Sequence, residues 1–121
     1  MQKKKTLVIG ASANPARYSY LAVQKLTAHQ HPVVALGIKN GAIGNTVIET
    51  EKKLMNDIDT VTLYINPSRQ PAYYDYILSL HPNRIIFNPG TENEELEALA
   101  HKNNIATQEA CTLVLLSTGQ Y

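Results

Sequence analysis

Short apolar runs alternate with amphipathic segments about five times along this chain. The runs lie at residues 6–9, 33–36, 60–65, 84–87 and 105–107, and most of them end at a glycine or an asparagine. Parallel neighbouring strands require crossover connections, which are usually helices. The alternation therefore predicts the α/β class, with a doubly wound parallel sheet of about five strands in three α/β/α layers.

Apolar spacing and capping residues predict the helices between these strands. The first helix is predicted from Pro15 to about Ala28, with Asn14 as its cap and with its core face at Tyr18, Leu21, Ala22 and Leu26. A second helix is predicted from a cap at Ser68 to Leu80, and a third behind a capping box that starts at Thr91. Residues 37–46 are predicted to be a loop and residues 46–48 a short edge strand, while the type of residues 112–116 stays open.

Size and composition predict one domain over residues 1–121, because a chain of 121 residues with 44% apolar residues can bury its own core. Cys111 is the only cysteine, so neither an intramolecular disulfide nor a cysteine-based zinc cluster is expected. The four histidines do not fall into a metal-ligand pattern, and we expect no metal site. No apolar run approaches the ~20 residues of a membrane span, and the start of the chain does not read as a signal peptide. We therefore expect a cytoplasmic protein that makes no use of a membrane.

Charge is distributed unevenly along the chain. Residues 1–48 contain six basic residues and no acidic one, for +6, whereas residues 49–121 sum to −5. One interpretation is chance together with a solvated lysine tail, and the other is that the first half faces an anion. The excess is too small and too scattered to predict nucleic-acid binding.

The loop after the first strand, residues 10–17, is the strongest candidate site. The dinucleotide fingerprint has glycines at positions that are Gly10, Ser12 and Pro15 here, so that only the first glycine is kept. Gly10 permits a sharp turn, while Ala11 and Ser12 are small enough for a ligand to approach the backbone. A helix beginning behind this loop would offer free amides to a phosphate, and Arg17 would add its guanidinium. The alternative is an ordinary strand-to-helix turn with an exposed arginine.

The ends of the next strands add further candidate residues. No acid precedes Glu49, whereas NAD-binding proteins usually place one after the second strand to hold the ribose. Lys39 stands there instead, which favours a ligand with a phosphorylated ribose, such as NADP or coenzyme A, unless it is simply a solvated lysine. Asn66 with Pro67, and Asn88 with the Pro-Gly that follows it, end the third and fourth strands; they are either routine turns or walls of a cofactor crevice.

The sequence Gly-Ala-Ser-x-x-Pro-x-Arg from Gly10 to Arg17 resembles the stand-alone coenzyme A-binding domain proteins, which are related to the N-terminal domain of the succinyl-CoA synthetase alpha subunit. The turn that starts at Asn88 is similar to the same family, and the likeness spans nearly the whole chain. It implies a Rossmann fold, with phosphates bound by the first loop, Lys39 near the ribose, and Asn66 and Asn88 along the crevice. The chain departs from the family after the second strand, where Gly37 and Ile38 replace an Asn-Pro pair.

The leading functional hypothesis is a binding module for coenzyme A or an acyl-CoA. Neither a Ser-His-Asp arrangement nor a Walker lysine loop nor paired carboxylates is evident, and Cys111 is interpreted as a small buried hydrophobe. The rival hypotheses are a small NADP-dependent oxidoreductase and a protein-interaction domain with a vestigial nucleotide site. A homodimer is the default expectation for the assembly.

Overall fold

The computed structural model describes residues 3–121, which fold around one seven-stranded sheet. The strands are β1 (Thr6–Ile9), β2 (Val33–Leu36), β3 (Gly41–Ile43), β4 (Thr46–Glu49), β5 (Thr60–Leu63), β6 (Arg84–Phe87) and β7 (Ala106–Glu109). The α-helices are α1 (Tyr18–Ala28), α2 (Tyr74–Ser79), α3 (Glu94–Lys102) and α4 (Thr112–Ser117), and a 3-10 helix spans Pro67–Tyr73. The predicted α/β class is confirmed.

The strand order is β3-β4-β2-β1-β5-β6-β7, with β1 at the centre of the sheet. All neighbouring pairs are parallel except β3 and β4, which form an antiparallel hairpin at one edge. The chain runs outward from β1 to β2 and later returns to pair β5 with the other side of β1. The strand order therefore reverses between β1 and β5, and the crevice above such a reversal is where ligands bind in open α/β sheets.

Helices cover both faces of the sheet, as the three-layer prediction requires. Helices α1 and α4 pack on one face through residues such as Val23, Leu26 and Leu116. The other face packs under α2 and α3 through residues such as Ile77 and Leu96. Because both faces are covered, the central strands are buried even where they carry threonine, and all four residues of β1 and of β5 are buried.

The sheet has two more strands than the predicted five. The segment predicted as a loop over 37–46 contains β3, and the predicted edge strand is extended as β4. Ile43 and Ile48 are almost fully buried, so one face of the hairpin packs against the core. Gly44, with a φ of +58°, and Asn45 make the two-residue turn. A Gly-Asn pair between short apolar segments is a hairpin signal, so the sequence did contain the evidence for this element.

Helix α1 begins at Tyr18 with Arg17 as its cap, so the predicted start at Pro15 with Asn14 as the cap is wrong. The buried residues of α1 are Ser19, Ala22, Val23 and Leu26, so Ala22 and Leu26 lie in the core as predicted, whereas Tyr18 and Leu21 do not. Tyr18 is 71% exposed instead of facing the core. The reason lies in the preceding loop, where Asn14 and Pro15 form a turn of their own.

Two other helix starts also differ from prediction. The segment behind Ser68 begins as a 3-10 helix capped by Asn66, because Pro71 lies inside it and has no amide hydrogen for an α-helical bond. In α3 the cap is Asn93, whose side chain accepts hydrogen bonds from the amides of Glu95 and Leu96 at 3.0 and 3.2 Å. The capping box predicted at Thr91 is wrong, since the Thr91 hydroxyl is buried and donates to the Asn88 carbonyl at 2.8 Å.

Candidate functional site

The turn that leaves β1 is held tightly between the ends of its two neighbouring strands. The amides of Gly10 and Ala11 both donate to the Leu36 carbonyl at 2.9 Å. Gly10 has a φ of +93°, and a Cβ atom there would lie 2.8 Å from the Ile65 Cγ2 and from the Tyr64 carbonyl group. Only glycine fits both the conformation and the space. The first loop therefore lies directly against the segment that follows β5.

Asn14 organises the next part of this loop. The Ser12 Oγ accepts a hydrogen bond from the Asn14 amide at 3.1 Å, and the Asn14 Oδ1 accepts one from the Ala16 amide at 3.0 Å. The Asn14 carbonyl accepts from the Arg17 amide at 3.0 Å, which closes a β-turn with Pro15 at its second position. This turn occupies the side chain that was predicted to cap α1, and it fixes the path of the chain from β1 into the helix.

Four backbone amides around this turn have no hydrogen-bond partner among residues 3–121: those of Ser12, Ala13, Tyr18 and Ser19. The last two belong to the first turn of α1, where helix amides lack an intrahelical acceptor. All four residues line the same crevice. Free amides at the start of a helix form a favourable place for an anion, because the helix dipole adds to their partial positive charge.

The crevice lies over the carboxyl ends of the four central strands and has a volume of about 680 Å³. Its walls come from within four segments, at residues 10–19, 37–40, 64–73 and 89–91. These segments follow β1, β2, β5 and β6, so the crevice crosses the point where strand order reverses. Its size is in the range of sites that hold small molecules and cofactors.

The crevice is positively charged. Arg17, Lys39 and Arg69 line it, and all three side chains are exposed. Within residues 3–121, none of these cations forms an ion pair, and no aspartate or glutamate lines the crevice. An anionic ligand would therefore meet three cations that are not already neutralised.

The structure brings together seven of the residues that the sequence predicted for the site. They are Gly10, Ala11, Ser12, Asn14, Arg17, Lys39 and Asn66. Pro15 and Pro67 lie outside the crevice lining; Pro15 shapes the turn before α1, and Pro67 begins the 3-10 helix.

Asn88 lies beneath the crevice and is only 2% exposed. Its Nδ2 donates to the Thr62 hydroxyl at 2.6 Å and to the Leu63 carbonyl at 2.8 Å, while its Oδ1 accepts from the Thr112 amide at 2.9 Å. These bonds join the ends of β5 and β6 to the start of α4. The side chain thus supports the floor of the crevice and is not on its surface.

Sequence reasoning missed Arg69 and Gln70. Arg69 lies inside the 3-10 helix that follows β5, so its place at the crevice depends on how that helix packs and not on a strand end alone. Gln70 is fully buried; its Nε2 donates to the carbonyls of Ile65 and Thr91 at 3.1 and 2.8 Å. It thereby ties the segment after β5 to the segment after β6. Nothing in the local sequence distinguishes this buried glutamine from an exposed one.

Tyr64 lines the crevice, but its hydroxyl is buried and has no hydrogen-bond partner among residues 3–121. Burial raises the pKa of this phenol well above its ordinary value of 10.0, despite the nearby hydroxyls of Thr112 and Thr62. The group therefore keeps its proton at neutral pH. A buried phenol that keeps its proton is a poor general base.

Residues 4–117 match the model of a protein family described as a CoA binding domain. No functionally curated protein matches the chain. A crystal structure of an uncharacterized protein shares 48% sequence identity, with each chain covered completely and a TM-score of 0.97.

Two further solved structures share the fold at lower identity. A hypothetical protein from Pyrococcus horikoshii OT3 is 18% identical, with a TM-score of 0.87 over 97% of this chain and 84% of that one. A Thermus thermophilus protein, cell-free ID.343, is also 18% identical, with a TM-score of 0.85 over 99% of this chain and 92% of that one. At such identity the likeness concerns the Rossmann-like fold alone.

Across residues 3–121, no helix is long and apolar enough to cross a membrane. In the same part of the chain, no three or more histidine, cysteine or acidic side chains are grouped as metal ligands would be.

Proposed function

The chain belongs to the CoA-binding domain family, and from that premise we propose that its crevice binds coenzyme A or an acyl-CoA through the loop 10–17. The protein would act as a binding module, with no catalytic group of its own. We also propose that residues 1–121 act as one domain; the homodimer and the cytoplasmic location stay predictions.

The observation that carries the proposal is the group of four free amides beside Arg17. Ser12, Ala13, Tyr18 and Ser19 offer backbone donors, and Arg17 offers a guanidinium. A diphosphate presents several acceptor oxygens in a small volume and matches such a group of donors. Family membership makes the diphosphate of coenzyme A the leading candidate.

The lysine after β2 supports a ligand with an additional phosphate on its ribose. In dinucleotide-binding folds this position usually holds an acid that bonds the ribose hydroxyls. Here Lys39 lines the crevice, and no acid lines it among the described residues. A cation at this place attracts the phosphomonoester that coenzyme A carries on its ribose, and it disfavours NAD by comparison. NADP shares this feature and is the alternative ligand.

The test is a thermal-shift and calorimetric titration with coenzyme A, NADP and NAD. Stabilisation by coenzyme A above that by NADP and NAD supports the proposal. Replacing Arg17 with Gln should weaken coenzyme A binding about tenfold, as expected for loss of a hydrogen bond between charged groups. The unliganded melting temperature should stay unchanged because Arg17 is exposed.

A matched control removes one positive charge elsewhere. Lys102→Gln alters an exposed lysine at the end of α3, near the amino ends of the strands and away from the crevice. It should bind coenzyme A like the unmodified protein. The proposal fails if coenzyme A causes no shift, or if the Arg17 and Lys102 variants lose affinity equally.

A further inference from the structure

The three cations of the crevice stand over different strands. Lys39 follows β2, Arg17 precedes α1, and Arg69 follows β5. In a dinucleotide-binding fold the ribose lies at the end of the second strand and the diphosphate at the first loop. A nucleotide held in this way uses Lys39 and Arg17 for its phosphates. The rest of the ligand extends toward β5 and β6, where Arg69 stands.

Arg69 projects from a firmly held piece of backbone. Its amide donates to the Asn66 carbonyl at 3.0 Å. The next residue, Gln70, is fully buried and bonded to the carbonyls of Ile65 and Thr91. The Gln70 Oε1 accepts a further hydrogen bond from the Asn93 Nδ2 at 2.9 Å. The main chain beneath the guanidinium is thus fixed to both walls of this half of the crevice.

The surroundings of Arg69 offer it no anionic partner. Within residues 3–121 its side chain makes neither an ion pair nor a hydrogen bond, and the crevice lining contains no carboxylate. Tyr73 lines the same end, and the Lys52 Nζ lies 4.7 Å from the centre of its ring. This end of the crevice therefore carries positive charge beyond what the phosphates of the nucleotide require.

On the basis of the proposed function, we propose that Arg69 recognises a carboxylate on the acyl group of a bound acyl-CoA. A guanidinium presents two parallel N–H donors that fit the two oxygens of a carboxylate. An aliphatic acyl group without that charge gains nothing from the arginine. The protein should accordingly prefer dicarboxylic acyl-CoA thioesters to monocarboxylic ones of equal length.

The experiment compares glutaryl-CoA with valeryl-CoA by isothermal titration calorimetry. Both carry a five-carbon acyl group, which ends in a carboxylate in glutaryl-CoA and in a methyl group in valeryl-CoA. The unmodified protein should bind glutaryl-CoA about tenfold more tightly than valeryl-CoA, because one hydrogen bond between charged groups contributes about that factor to affinity. Arg69→Gln should abolish that difference and leave valeryl-CoA affinity unchanged. Arg17→Gln should weaken both ligands by the same factor and keep the preference.

The outcomes separate this inference from the function on which it rests. If both thioesters bind equally to the unmodified protein, or if Arg69→Gln weakens both equally, the carboxylate assignment is wrong while coenzyme A binding stands. If neither thioester nor free coenzyme A binds, the proposed function fails and the inference fails with it. Lys102→Gln serves again as the charge-matched control and should keep the full preference.

Discussion

At the scale of single residues, the site depends on glycines that stand where there is no room for a side chain. Gly10 brings the first loop against the segment after β5, and Gly37 does the same beside Ala11, whose carbonyl oxygen would lie 2.3 Å from a Cβ atom on Gly37. The departure from the family pattern after β2 therefore has a local reason. In this chain the first loop fills the space that a side chain at position 37 would need.

Replacing Gly10 with alanine should destabilise the protein more than replacing Gly90. Both glycines have a φ near +90°, but a Cβ atom on Gly90 meets nothing within 4 Å, whereas one on Gly10 meets Ile65 and Tyr64 at 2.8 Å. Backbone strain alone costs about 1–3 kcal/mol and is common to both variants. The free energy of unfolding, measured with urea, should therefore fall further in Gly10→Ala than in Gly90→Ala. The difference between the two variants is the cost of the clash with Ile65 and Tyr64. Equal losses would show that the turn relaxes to accept a methyl group.

At the scale of elements, alternation of apolar runs was sufficient to predict the central strands and the layers. It was insufficient for the starts of the helices, because several residues near each start can serve as a cap. Asn14, Ser68 and Thr91 all have capping side chains in the sequence, yet Arg17, Asn66 and Asn93 occupy the cap positions. Tertiary and local contacts decide which residue caps each helix. The Thr91 hydroxyl is buried and bonds to the Asn88 carbonyl, and the Asn14 side chain bonds to the Ala16 amide within its own turn.

The same limit applies to the site. Residues that lie directly after a strand could be predicted to meet, because parallel strands end at one edge. Arg69 and Gln70 lie within the 3-10 helix that follows β5, and Pro71 belongs to the same helix. Their position at the crevice follows from where that helix packs. Periodicity carries no information about such packing.

Asn93→Ala should lower the free energy of unfolding by about 1–2 kcal/mol through loss of the α3 cap. The loss should lie at the upper end of that range, because the Asn93 Nδ2 also donates to the Gln70 Oε1 and the Tyr74 hydroxyl at 2.9 and 2.8 Å. Asn103→Ala, at the other end of α3, removes only an exposed bond to the Leu99 carbonyl and is the matched control. Urea unfolding of both variants checks the prediction, which is wrong if Asn103→Ala is the more destabilised.

At the scale of the whole molecule, the two edges of the sheet have different roles. The carboxyl edge carries the crevice with its cations Arg17, Lys39 and Arg69. The amino edge is closed by Tyr121, whose ring centroid lies 4.9 Å from that of His31 and 4.5 Å from the guanidinium carbon of Arg84. The Tyr121 hydroxyl also bonds to the hydroxyl of Thr6 at the start of β1. Contacts at this edge join the first strand to the last residue of the chain, so we expect them to control stability and to leave binding unaffected.

His31 makes this division testable by pH. The side chain is 5% exposed, its Nδ1 accepts a hydrogen bond from the Lys4 amide at 3.0 Å, and burial together with Lys3, His29, Lys4 and Arg84 lowers its pKa from 6.5. A lowered pKa in the folded state means that the unfolded chain takes up the proton first. The stability that neutral His31 contributes is complete above its unfolded pKa and is lost as the pH falls through the window below 6.5. The free energy of unfolding of the unmodified protein should therefore decline as the pH is lowered through that window.

His31→Asn should reduce this decline, because asparagine retains an acceptor for the Lys4 amide and does not titrate. The difference in stability between the variant and the unmodified protein should accordingly shrink as the pH falls. His101→Asn, at an exposed histidine on α3, should keep the full decline and serves as the control. Coenzyme A affinity at neutral pH should be the same in all three proteins, since His31 lies at the edge opposite the crevice. A decline that is unchanged in His31→Asn would mean that other groups account for the acid sensitivity. A loss of coenzyme A affinity in that variant would mean that the two edges are coupled through the strands that join them.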